Sequence, residues 1–157
     1  MRNRLLPKLL PLAVFVGTVA CAPDEICFTD NSTEVRIDFK KVVYAGTDSA
    51  FTENDTLVFA QISALDTDSI FIQDDTLTSV ILPLNTGNNE TTIVFDTDLE
   101  RHTLELKYQR TQRLISADCG PEQIIDQLEA LHSTFDSLVV LQPVLTEPPT
   151  TNVEVYR

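Results

Sequence analysis

The feature that most constrains this chain is a recurring short segment in which apolar residues fall on every second position or run together for four to eight residues. Each is bounded by a cluster of Asp, Asn, Thr, Ser or Gly. Val35, Ile37 and Phe39 alternate with Arg36, Asp38 and Lys40, which puts an apolar row on one face of a strand and charge on the other. Val42 to Ala45 extends that strand past a bulge. Leu57–Ile62, Ser69–Ile72, Val80–Leu84 and Thr92–Phe95 are the next candidates, and Leu104, Leu106 and Tyr108 again alternate against Glu105, Lys107 and Gln109. Leu114–Ala117, Phe135–Leu141 and Asn152–Tyr156 complete the set. Short strands at this spacing predict an all-β, two-layer antiparallel sandwich of immunoglobulin-like type, with roughly seven to nine strands.

The expected core is Val35, Ile37, Phe39, Val58, Ile62, Phe71, Ile81, Ile93, Phe95, Leu106, Tyr108, Ile115 and Val140. Pro83 cannot donate to a ladder, so its strand belongs at an edge or a bulge. Pro143 to Thr151 holds three prolines and no glycine and reads as an extended connection. One segment is ambiguous. Ile124, Ile125, Leu128 and Leu131 follow Pro121 at helical spacing, which favours one short helix near residues 121–132, yet the same run also fits a strand through Ile125.

The first twenty residues have a different character. Arg2, Arg4 and Lys8 precede an apolar run from Leu9 to Val16, and Gly17-Thr18-Val19-Ala20 leads into Cys21. This is the pattern of a secretory signal peptide, and the run is shorter than the roughly 20 apolar residues of a membrane span. A cysteine directly after the small residues resembles the lipobox of bacterial lipoproteins, in which the thiol is acylated and becomes the new N-terminus. Thr18 departs from the usual Leu, and ordinary cleavage near Ala20 is the alternative. On the lipoprotein reading, residues 1–20 are removed, residues 21–30 are a lipid-proximal tether, and 31–157 form one domain. The mature chain then has 137 residues and a net charge that moves from −13 to −16, because the leader carries three basic residues and no acid. So acidic a chain lacks the basic footprint that nucleic acid demands and a polybasic grip on anionic lipid.

Cys27 and Cys119 remain once Cys21 is acylated. In an exported protein they read as a disulfide, with two free buried thiols as the competing reading. A bridge across that interval would stabilise by about 4–5 kcal/mol in the chain-entropy model, which is one of two rival accounts.

The order of several short motifs resembles a family of small uncharacterised cell-envelope lipoproteins of Bacteroidota, known only as a domain of unknown function. The motifs are Cys21 with Cys27 close behind, Leu82-Pro83-Leu84, Leu106-Lys107-Tyr108, Ile115 to Gly120, Phe135-Asp136-Ser137 and Asn152 to Tyr156. The resemblance implies a β-sandwich and a Cys27–Cys119 pairing, and it implies no activity. Asp24 and Glu25 resemble the acidic signal that sends some lipoproteins of that phylum to the outer face of the outer membrane; the same pair also suits a solvated tether.

Catalytic constellations are sparse. His102 and His132 lie in different elements and read as exposed or hydrogen-bonded surface residues. No Gly-x-Ser-x-Gly elbow occurs, four glycines build no phosphate cradle, and no set of zinc ligands or cofactor motif is spaced to act. Asp96, Asp98 and Glu100 have the alternate spacing of a calcium loop, but Arg101 stands where that loop needs Gly, so they read as turn residues. The sequence therefore predicts a non-catalytic, membrane-anchored envelope module that either binds a protein or glycan partner or simply supports the cell surface. Its rival is a hydrolase using two carboxylates in one cleft. Finally, Ser49, Thr56, Ser69, Thr76 and Ser137 each sit between Asp and an apolar residue. This resembles the acceptor tripeptide for O-glycosylation of exported Bacteroidota proteins, where composition alone would give about one.

Overall fold

A computed structural model describes Cys27, residues 29–45 and residues 49–157. The expected signal peptide, the expected acylation site Cys21, Asp24, Glu25 and most of the expected tether lie outside the described residues. The strands are β1 (Glu34–Tyr44), β2 (Ala50–Asn54), β3 (Leu57–Ala64), β4 (Ser69–Leu77), β5 (Ser79–Pro83), β6 (Glu90–Thr97), β7 (Arg101–Ser116), β8 (Gly120–Ser133), β9 (Ser137–Val140) and β10 (Thr151–Tyr156). Two five-stranded sheets pack face to face, so the fold is the β-sandwich that the alternation implied.

Sheet two runs β4-β3-β6-β7-β8 and is antiparallel throughout. Sheet one is mixed, because β1 pairs with β10 in parallel, and β9 then pairs antiparallel with β10. The other edge of β1 is shared by two short strands laid end to end. β5 covers Glu34–Asp38 and β2 covers Lys40–Tyr44. Phe39 marks the joint, donating its N–H to Thr78 O at 3.0 Å and accepting from Asp55 N at 2.9 Å. The β3–β4 hairpin leaves sheet one at this joint and returns to it after pairing in sheet two. Pro83 sits in β5, which has a single neighbour, as its missing N–H requires.

The core lies between the sheets. Phe39, Phe59, Phe95 and Phe135 meet with ring centroids 5.0–6.1 Å apart, surrounded by Ile37, Ile62, Ile93, Leu104, Leu106, Ile125, Leu145 and Val153, all fully buried. The Pro143–Thr151 connection does more than link strands. Leu145 from it is buried, its N–H donates to Ile125 O at 3.1 Å, and Pro143 O accepts from Leu128 N at 2.9 Å, so the segment lines the edge of β8.

Three expectations are corrected. Residues 121–132 are not helical but form most of β8. Between the pairs Lys107↔Glu129 and Gln109↔Asp126, β8 advances three residues while β7 advances two, and Gln127 takes a left-handed φ of 52°. That bulge buries both Ile125 and Leu128 at a spacing of three, which imitates a helix turn. Val58, Ile81 and Ile115 are exposed rather than core residues. In β3 a register shift between Phe59 and Gln61 changes the parity, so Leu57 and Phe59 point inward before it and Ile62 and Ala64 after it. In β5 the inward residues are Val80 and Leu82. Phe71 and Val140 are only partly buried, packed against the core margin. His102, expected at the surface, is 5 % exposed on the inner face of β7 and stacks on Phe135 at 4.3 Å. His132 is exposed, opposite Glu105 on the outer face.

Candidate functional site

One group of described polar side chains lies at the tip of the β7–β8 hairpin. Tyr108 is the last buried residue of β7; beyond it the strand runs on to Ser116 with side chains that are mostly exposed. β8 pairs with it near the turn, with Arg113 opposite Glu122 and Leu114 opposite Pro121, before a register shift sets Ser116 opposite Gly120. Gly120 carries a φ of 75°, a left-handed conformation that a side chain would strain, and so closes the turn.

Glu122 is buried at this exposed end because the N-terminal segment folds over it. Thr29 Oγ1 donates a close hydrogen bond to Glu122 Oε2, and Asn31 Nδ2 donates to the same oxygen at 3.0 Å. Arg113 Nε reaches Oε1 at 2.7 Å, with Nη2 close to the same oxygen. These donors favour the charged form, so the hydrogen bonds from Thr29 and Asn31, followed by that from Arg113, hold the carboxyl below the usual carboxylate range. Around them, Asn31 bridges Thr146, and Glu147 N donates to Asp30 O at 2.9 Å. Cys27 is bonded to Cys119 across a Cα–Cα distance of 5.7 Å, well within disulfide geometry. An open hollow of about 400 Å³ beside this clamp is lined by Thr29, Ser32, Glu34, Glu122, Gln123 and Glu147. Glu34 and Glu147 are exposed there, which leaves Glu122 as its one buried carboxylate.

A second group sits where β6 and β7 meet the β5–β6 loop. The Tyr108 hydroxyl, with the ring 1 % exposed, donates to Asn85 O at 2.8 Å and lies 2.7 Å from Thr91 Oγ1. Since that phenol has one proton, Thr91 is the donor of the second bond. Burial pushes the Tyr108 phenol above its ordinary pKa. Asp66 accepts from Thr92 N at 2.9 Å and Asn85 Nδ2 at 3.1 Å, at the rim of a cleft of about 200 Å³ floored by Ala64, Phe71 and Leu84. The third group covers the outer face of sheet one. Lys40 lies 3.5 Å from Glu154 and 3.8 Å from Asp38, Arg36 lies 3.0 Å from Asp38, and the Tyr156 hydroxyl donates to Glu154 at 2.8 Å. The carboxylate of Glu154 raises the Tyr156 pKa.

In all three groups the carboxylates are acceptors of structural bonds. Asp96 of the calcium-like spacing pairs with Arg101 at 2.7 Å, and Thr97 Oγ1 accepts from Glu100 N at 3.0 Å, as turn residues do. Among the described residues no three His, Cys, Asp or Glu side chains converge to hold a metal ion. Asp55 and Glu122 are the carboxylates buried among the described residues, and they line no common cleft. Of the five candidate acceptor hydroxyls, Ser49, Thr56, Thr76 and Ser137 are exposed and Ser69 is half-buried. Ser49, Thr56, Ser69 and Ser137 stand at or just before the start of a strand, whereas Thr76 lies within β4.

The disulfide pair was read from the sequence, but the Glu122 clamp was not. Its signal was present: Arg113 and Glu122 are oppositely charged residues on either side of the turn at residues 117–119. It becomes visible only once residues 121–132 are read as a strand.

A family model matches residues 56–157, and the chain belongs to that family, the family of unknown function DUF6452. The match begins at β3, so β1, β2 and the Cys27 half of the bridge precede it, although β1 supplies the centre of sheet one. No curated protein and no solved structure matches the chain.

Proposed function

We propose that this protein is an acylated, non-catalytic module of the bacterial cell envelope, held at the outer membrane by lipid on Cys21 and presenting its β-sandwich to a protein or glycan partner. The observation that carries the reading is the fastening of the N-terminal segment. Cys27, six positions after Cys21, is covalently tied to the domain, and Thr29 and Asn31 bind Glu122 behind it. A tether secured at its root passes force and position from the anchor to the fold. The carboxylates serve this architecture, which supports a binding module over a hydrolase. The bacterial lipoprotein family that the sequence resembles fits the same reading.

Cell fractionation of wild-type and Cys21→Ser protein tests it. The wild-type mature chain should carry the mass of a diacylglyceryl group and sediment with membranes, and Cys21→Ser should lose both properties. Unmodified wild-type protein, or membrane retention unaltered by the substitution, would contradict the proposal. O-glycosylation at one or more of Ser49, Thr56, Ser69, Thr76 and Ser137 belongs to the same reading, since a transferase needs exposed hydroxyls. Intact mass from the native host should exceed polypeptide plus lipid.

A further inference from the structure

We infer that the tip of the β7–β8 hairpin docks on the lipid bilayer, with Leu114 and Ile115 as the inserting residues. This rests on the acyl anchor at Cys21 proposed above and deepens it by assigning the face of the domain that meets the membrane.

The tip carries an apolar pair with nothing described above it. Leu114 is 66 % exposed and Ile115 37 % exposed, in a strand whose other exposed residues near them are polar. A pair of large aliphatic side chains at the end of a projecting hairpin gains by leaving water where an apolar surface lies within reach. The identity of that surface follows from chain length. Five residues, 22 to 26, separate Cys21 from Cys27, and an extended chain spans at most about 3.6 Å per residue. Cys27 therefore lies no more than about 22 Å from the acylated residue, and Cys119 lies 5.7 Å further. The sixteen residues of β7 extend for about 50 Å at about 3.3 Å per residue. The anchor thus reaches the hairpin tip easily and cannot reach the far end of β7. The Glu122 clamp and the Asn31–Thr146 bridge prevent the N-terminal segment from peeling away and letting the domain drift outward.

Local charge permits this orientation, although the chain has no polybasic patch. In a chain of net charge −13, residues 109–117 hold Arg110 and Arg113 and no acid. Arg113 pairs with Glu122 yet remains 64 % exposed, so it can still meet a phosphate headgroup. Asp118 in the turn limits the insertion to the headgroup boundary rather than the hydrocarbon interior.

The chain contains no tryptophan, so one introduced indole reports its own surroundings. The full-length lipidated Leu114→Trp protein would be incorporated into vesicles of phosphatidylethanolamine and phosphatidylglycerol, with and without brominated acyl chains. Leu99→Trp is the control, because Leu99 is 77 % exposed in the β6–β7 turn at the opposite end of β7. Ile115→Trp serves as a second reporter should Leu114→Trp misfold. The expected result is blue-shifted emission and several-fold stronger bromolipid quenching at position 114 or 115 than at 99. Equal, water-like emission at the two ends in protein that floats with the vesicles would overturn the docking while leaving the anchor intact. Protein without a lipid mass that fails to float would overturn both.

Discussion

The two halves of β7 are one continuous strand held by different physics. From His102 to Tyr108 every second residue is buried, and Leu104 and Leu106 face the phenylalanine cluster between the sheets. From Gln109 to Ser116 most side chains are exposed, and beyond the ladder with β8 and the Arg110 bonds to Asn89 and Thr86 the fastening is a disulfide, a buried carboxylate and the N-terminal segment. The first half is stabilised by removing apolar area from water, which is non-directional and tolerates shape-conserving change. The second depends on a few directional or covalent links and therefore fails at single residues. A projecting hairpin of this kind can be long only because its tip is tied.

The comparison can be broken most severely in the core. Phe95 contacts Phe39, Phe59 and Phe135, and Phe95→Ala should cost about 3–5 kcal/mol, seen in urea melts as loss of the whole domain, both halves of β7 together. Next comes the covalent link: Cys119→Ser should cost about 2–5 kcal/mol, the upper end being the chain-entropy value, with the far-ultraviolet spectrum of the sandwich retained. Asn152 provides a polar test within the sandwich. It is 1 % exposed, accepts from Arg36 N at 3.0 Å and donates to Gln142 O at 3.1 Å and Val144 O at 3.3 Å. Asn152→Ala leaves those groups unpaired and should cost about 1–3 kcal/mol.

The smallest effect is titratable. Because the Glu122 pKa is depressed in the fold, its contribution is complete above the ordinary glutamate value of about 4.5 and is lost as pH falls through the folded value. Acid should therefore loosen Thr29 and Asn31 from the hairpin before it disturbs the core. Glu122→Gln should remove that pH dependence, as followed by exchange of the Asn31 side-chain amide.

Much of this fold was legible, because strict alternation in Val35-Ile37-Phe39 and Leu104-Leu106-Tyr108 leaves one face to bury and one to solvate. Legibility ended where bulges shift the parity. Val58 and Ile62 look like residues of one face, but the extra residue between Phe59 and Gln61 puts them on opposite ones. The spacing of Ile124, Ile125, Leu128 and Leu131 imitates a helix for the same reason, through the bulge at Gln127. The apolar run Val80-Ile81-Leu82 carries no phase of its own, so only packing could show that Ile81 faces outward. β2 was missed because all five of its residues are exposed, which leaves no burial pattern to read. The clamp was hidden for a further reason: Thr29, Asn31 and Glu122 are about ninety positions apart, and a hydrogen bond across such a distance leaves no periodic trace.

Amide hydrogen exchange along β7, with the disulfide intact and after Cys27→Ser, tests most directly the claim that one strand has two supports. The account predicts faster exchange for the amides of residues 109–116 and of β8 opposite them in the substituted protein, with Leu104, Leu106 and Tyr108 unchanged. Uniform acceleration along the whole strand, or no change beyond Tyr108, would contradict it.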